Sequence, residues 1–147
     1  MKQFENRWIF EPFEEKPDCV VRSMFGGLAM YYQGQLKLVL MENVGARSYR
    51  GRDFDFDIWN GLMLATEREK QALLTQEVNH LVPHPVLPKW LFLPFAKEGW
   101  EEEVHKIHRL LRRGDPLIGV WPQQRSKKKE KPASKKRALR KKTSKKS

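Results

Sequence analysis

Leu28-Ala29-Met30-Tyr31-Tyr32-Gln33-Gly34-Gln35-Leu36-Lys37-Leu38-Val39-Leu40-Met41 is two apolar arms around a polar Gln-Gly pair. Such a pattern reads as a β-hairpin, with Gly34 supplying the positive φ that a tight turn requires. The second arm is apolar on both faces apart from Lys37, which predicts a central strand covered by helices. Val20 to Phe25 reads as a strand entry, and Gly26-Gly27 after it as a bulge or a close backbone approach.

Downstream, the pattern alternates between strand and helix signals. Asp53 to Trp59 places Phe54, Phe56 and Ile58 on one face and Asp53, Asp55 and Asp57 on the other. That period of two predicts a half-exposed strand or extended edge. Asn60-Gly61 reads as a turn, and Leu62 to Ala65 as a short strand. Thr66-Glu67-Arg68-Glu69 has the form of a capping box, opening a helix with Leu74, Val78, Leu81 and Val82 on one face and a stop at Pro83. Trp90 to Leu93 reads as a strand.

Trp100, Val104, Ile107 and Leu111 then recur at helical spacing, with acids in the first turns and arginines in the last, as the helix dipole favours. Gly114-Asp115-Pro116 ends that helix, and Leu117 to Trp121 is an apolar segment to dock. Residues 1–19 are compatible with a short helix or a docked arm. The sum is an α+β fold, a two-layer antiparallel sheet packed against helices, over residues 1–122.

Charge divides the chain differently. Arg125 to Ser147 holds thirteen Lys or Arg and one acid, a net +12, so the whole-chain +11 leaves residues 1–124 at −1. The basic character belongs to the tail, 123–147, and not to the body. With Leu139 as its one sizeable apolar group, the tail cannot offset the entropy of ordering and is expected to be disordered. A mobile polycation of this kind displaces counterions from polyphosphate, giving non-specific, steeply salt-dependent binding to DNA or RNA. The expected contacts are Arg125, Lys127, Lys128, Lys129, Lys131, Lys135, Lys136, Arg137, Arg140, Lys141, Lys142, Lys145 and Lys146. An anionic membrane is the weaker partner, because no anchor or amphipathic helix accompanies the charge.

Other constellations carry less. Cys19 is the single cysteine, so no intrachain disulfide forms, as in a reducing compartment. No apolar run reaches the length of a signal peptide or membrane helix, and the default expectation is a cytoplasmic protein, nucleoid-associated if the tail binds DNA. Arg47, Tyr49, Arg50 and Arg52 form a basic loop with one aromatic, suited to phosphate contact and stacking; the plainer reading is charge balance against the aspartates. Asp53, Asp55 and Asp57 could serve a metal-dependent phosphodiesterase or nuclease, against a solvated face paired with those arginines. His80, His84, His105 and His108 lack the Cys pairs or His-Glu-x-x-His spacing of a metal site. No catalytic residue, cofactor or metal is assigned.

Arg22-Ser23-Met24-Phe25-Gly26-Gly27, followed by the Tyr31-Tyr32-Gln33-Gly34 hairpin, resembles the start of the TfoX (Sxy) N-terminal domain family, which opens with a basic residue before Met-Phe-Gly-Gly. The order of strands, helix, Pro-containing strand and final helix extends the resemblance over about residues 15–113. It implies a two-layer α+β domain without a known catalytic site, in a family linked to competence regulation. The expected function is therefore a non-enzymatic, regulatory domain that binds a protein partner or self-associates, held on nucleic acid by its tail. The alternatives are the nuclease and a protein-binding adaptor whose tail serves solubility.

Overall fold

The computed structural model describes residues 3–122, and the basic tail with every contact expected in it lies outside the described residues. Three strands open the sheet: β1 (Cys19–Met24), β2 (Gly27–Tyr32) and β3 (Gln35–Glu42). Their turns are Phe25-Gly26, with φ of 57° and 78°, and Gln33-Gly34, with φ of 56° and 83°. Two successive positive φ values give the turn geometry whose twist matches the flanking strands. The quoted hairpin is therefore present, and a second tight hairpin precedes it where a strand entry was expected.

The main sheet is completed by β6 (Asn60–Leu64), β7 (Val82–Pro83) and β8 (Leu91–Pro94), in the order β1-β2-β3-β6-β8-β7, with every neighbouring pair antiparallel. A separate two-stranded ribbon, β4 (Ser48–Tyr49) and β5 (Arg52–Asp53), lies between β3 and β6 in the chain. The helices are α1 (Glu11–Glu14), α2 (Gln71–Glu77) and α3 (Trp100–Arg112). This is an α+β fold. Among the described residues no helix is long and apolar enough to cross a membrane.

One face of the sheet packs on the helices. Met30, Leu38, Leu40, Leu62, Leu64 and Leu93 form a buried cluster with Leu74 of α2 and Val104, Ile107 and Leu111 of α3. The N-terminal arm joins it: Ile9, Phe10 and Phe13 are fully buried, each contributing about 2 kcal/mol by burial alone. Glu42 ties this arm to β3, its carboxylate accepting from the backbone amides of Glu5 and Asn6 and from Asn6 Nδ2 at 2.8–3.0 Å. The described part of the N-terminal segment, residues 3–19, is thus both a docked arm and a short helix.

The other face differs from the expectation. Val39, Met41, Met63 and Phe92 are buried there by Phe56, Trp59, Leu87 and Trp90, which come from loops and not from helices. β3 is apolar on both sides because loops can exclude water as well as helices can. Lys37 sits at a β-bulge: Met30 pairs with Leu38 and Tyr31 with Leu36, leaving Lys37 unopposed. Its ammonium, 4% exposed with its residue, donates to Gln35 Oε1 at 2.8 Å and to the Ile118 carbonyl at 2.9 Å. Leu36 and Val120 form a backbone bridge, so the segment 117–121 docks on the start of β3.

Three local expectations fail. Residues 53–59 are not a strand beyond Asp53; they form a loop laid over the sheet, in which Ile58 is buried and Phe54 and Phe56 half-buried while Asp53 and Asp55 face water. The alternation records burial of every second side chain without a hydrogen-bonded ladder. Asn60-Gly61 begins β6 and does not turn; Gly61 is required because a Cβ there would meet the Leu93 carbonyl and the Phe92 ring. The capping box does not form either. Thr66 Oγ1 donates to the Leu117 carbonyl at 2.7 Å, and the helix runs only as a 3-10 turn, Arg68–Lys70, followed by α2. Val82 and Pro83 leave it to pair with β8, at a sheet edge where proline's missing N–H is tolerated.

Candidate functional site

The β4–β5 ribbon is built by its own backbone. Arg50-Gly51 makes its turn, with φ of 51° and 82°, and Phe54 and Ile58 donate their amides to the carbonyls of Arg47 and Ala46 at 2.8 and 3.0 Å. Arg47 donates through Nε to Asp57 Oδ1 at 2.8 Å. That hydrogen bond, with a second from the Gly45 amide, holds the Asp57 carboxyl below the usual carboxylate range. Arg47 is therefore committed to its own loop, as the charge-balance reading expects of it.

Arg50 and Arg52 are not. Among the described residues neither forms an ion pair; instead Arg50 lies over the Tyr49 ring at 5.2 Å and Arg52 over the Phe54 ring at 4.9 Å. Both are exposed. A guanidinium parked on a ring keeps its N–H donors in solvent, positioned and available to an anion. The sequence pairing of all three arginines with the three aspartates is thus correct only for Arg47 and Asp57.

Two grooves meet at this ribbon. One, about 400 Å³, is lined by Phe25, Met41, Tyr49, Trp59 and Leu87, among others. Its neighbour, about 440 Å³, is lined by Arg50, Arg52 and Phe54 with Tyr49, Val86 and Leu87. Tyr49, Val86 and Leu87 belong to both, so the apolar and basic halves share a wall. Phe25 closes the apolar half from the β1–β2 turn, 55% exposed and edge-on to Trp90 at 6.4 Å. A larger cavity of about 670 Å³ lies between the N-terminal arm and β1; of its arginines, Arg7 is paired with Glu14 and Arg22 lies over Tyr31.

His84 fixes the groove walls. Its Nδ1 accepts from the amides of Val86 and Leu87, both at 3.1 Å, which places the proton on Nε2, donating to the Ile58 carbonyl at 2.7 Å. Burial lowers its pKa, against the opposing hydrogen bond to Ile58. One neutral imidazole therefore joins the 85–87 wall to the 58–59 wall. His108 is buried against α1, donating to the Ile9 carbonyl at 2.8 Å, with its pKa also lowered by burial. These two histidines are structural.

The remaining candidates separate. Asp53, Asp55 and Asp57 do not gather, and among the described residues no three His, Cys, Asp or Glu are placed to hold a metal ion. Cys19 is half-buried and its thiol is pushed up by burial and by Glu14 and Asp18, away from a reactive thiolate. Phe25 and Trp59 as groove residues, and His84 as the buried strut behind the walls, were missed by sequence reasoning. The Phe-Gly pair between two apolar segments was the available sign of a second hairpin tip; nothing local marks Trp59. No family model, curated protein or solved structure matches the chain.

Proposed function

We propose that this chain is a non-enzymatic nucleic-acid-binding protein, in which the Lys-rich tail supplies non-specific attraction to polyphosphate and the α+β domain carries the regulatory contact. The separation of charge carries this reading: a body of net −1 beside a tail of net +12. A polycation with so few apolar groups has no core to join, and its counterion release on binding phosphate is the largest favourable term open to it. The guanidinia of Arg50 and Arg52, which form no ion pair among the described residues, add a weaker basic contact on the domain itself.

The resemblance to TfoX N-terminal domains belongs to the same proposal. Its support is the order of elements after Arg22: strand hairpins, α2, the Pro-containing β8 and α3. Under this reading the domain binds a protein partner or a second copy, in the cytoplasm or on the nucleoid. The nuclease alternative has no gathered carboxylates among the described residues on which to rest.

Gel shifts with the full chain and a chain ending at Gln124, repeated over a salt series, test the proposal. If about eight tail charges meet duplex phosphates, the log–log salt slope is about −7 for the full chain. The shortened chain should bind far more weakly. Equal binding by both would remove the tail from the function.

A further inference from the structure

We infer that the joined groove beside the β4–β5 ribbon is a single-strand site, taking an unstacked nucleobase in its apolar half and the adjoining phosphate on Arg50 and Arg52. This rests on the reading of the chain as a nucleic-acid-binding protein and adds a selectivity that the tail cannot supply.

The chemistry follows from what the two halves share. The apolar half offers Phe25, Tyr49 and Trp59, three rings at one opening of about 400 Å³. Flat rings bind bases by stacking, with little regard to base identity. The basic half begins at the same Tyr49, and the acids next to its arginines in sequence, Asp53 and Asp55, are not among its lining residues. A nucleotide has the same two-part character, an aromatic base beside an anion. In a duplex the bases are stacked and paired within the helix, so only an unpaired strand can present both parts at once. The chain's own tail is excluded as occupant by its like charge and its lack of aromatic residues.

Phe25 gives independent support. It holds φ of 57°, a region costly for a bulky side chain, at a hairpin tip where Asn or Gly would rest without strain. It is 55% exposed, so core packing does not account for an aromatic ring there. Strain retained at an exposed position is the pattern of a binding site.

The test uses the full chain, with fluorescence anisotropy on a labelled mixed-sequence single strand of about 12 nucleotides and its duplex. A polycation alone favours the duplex, whose charge density is higher. The expected result is tighter binding of the single strand. Phe25→Asn should lower single-strand affinity about tenfold, the effect of losing one stacked base, and the double variant Arg50→Ala/Arg52→Ala should lower it about as much by removing the phosphate contact, with duplex affinity changed less than about twofold. Phe25→Asn should unfold at or above the wild-type temperature, which separates lost contact from lost fold. Duplex binding as tight as single-strand binding, or variants that leave the ratio unchanged, would overturn the inference while the tail-based reading stands. Wild-type binding to neither probe would overturn both.

Discussion

The imidazole of His84 and the indole of Trp59 lie with ring centres 4.5 Å apart, tilted by 35°, and the same imidazole is hydrogen-bonded to backbone on both groove walls. Protonation of Nδ1 would remove the acceptor of two half-buried amides. His84 and His108 both have folded pKa values lowered by burial from 6.5. Above pH 6.5 the folded and unfolded chains are both neutral at these sites. As pH falls through that value the unfolded chain takes up protons that the folded chain refuses, so stability is lost on acidification. The limiting slope is about 1.4 kcal/mol per pH unit for each histidine. Urea midpoints between pH 8 and pH 5 measure it, and a flat profile would contradict the assignment.

Replacing the same residue tests its role as a strut. His84→Phe keeps a ring against Trp59 but leaves the Ile58 carbonyl and the Val86 and Leu87 amides without His84 as partner. The expected loss is about 3 kcal/mol by chemical denaturation. A loss under about 1 kcal/mol would mean that water replaces the imidazole freely.

The docking of 117–121 depends on two side chains, Lys37 of β3 and Thr66 in the segment that follows β6. Lys37→Met removes the donor to Ile118, and Thr66→Val removes the donor to Leu117. Each is expected to cost about 1–2 kcal/mol. Because both hold one short segment, the double variant should depart from additivity by about 0.5 kcal/mol or more. Hydrogen exchange should locate the loosening in residues 117–121 and leave α2 protected. Fraying of α2 would instead restore Thr66 as a helix cap.

The two glycines of the hexapeptide at 22–27 make separable predictions. At Gly26 a Cβ meets nothing within 4 Å, so Gly26→Ala pays only for φ of 78°, about 1 kcal/mol. At Gly27 a Cβ would run into the Leu40 carbonyl oxygen and come within 2.6 Å of Met41 Sδ. Gly27→Ala should cost about 1–3 kcal/mol by shifting β2 against β3. Thermal unfolding of the pair distinguishes a turn requirement from a packing one.

The elements legible in the sequence are those fixed by near neighbours. Gln33-Gly34 and the stripe of α3 are set by local dihedrals and a regular period, and both stand where expected. The errors arise where a distant partner intervenes. Thr66 had a local amide to cap but bonds a carbonyl 51 residues away. Val82 had helical spacing but joins β8. Asp53 to Trp59 alternates because loop side chains enter the sheet face one at a time, a cause that period two does not reveal. The groove was half legible: Tyr49, Arg50 and Arg52 carry a basic-aromatic signal, whereas Phe25 and Trp59 reach them only through the fold.

Docking of Val120 on Leu36 fixes where the last described residues lie, beside the start of β3. Leu36 begins the buried run of β3 and Met41, near its end, lines the groove, and both belong to the cluster on the loop-covered face. Five residues of strand separate them, about 17 Å. Under the proposed function, 23 residues with flexible-coil dimensions would span about 25 Å, enough for the tail cations to hold a strand within reach of the groove. Binding at the groove would then become an intramolecular step, governed by a local concentration that can reach the millimolar range and not by the amount of nucleic acid in solution. A weak, base-directed contact can operate under those conditions, because the tether has already met the translational cost of bringing the two molecules together.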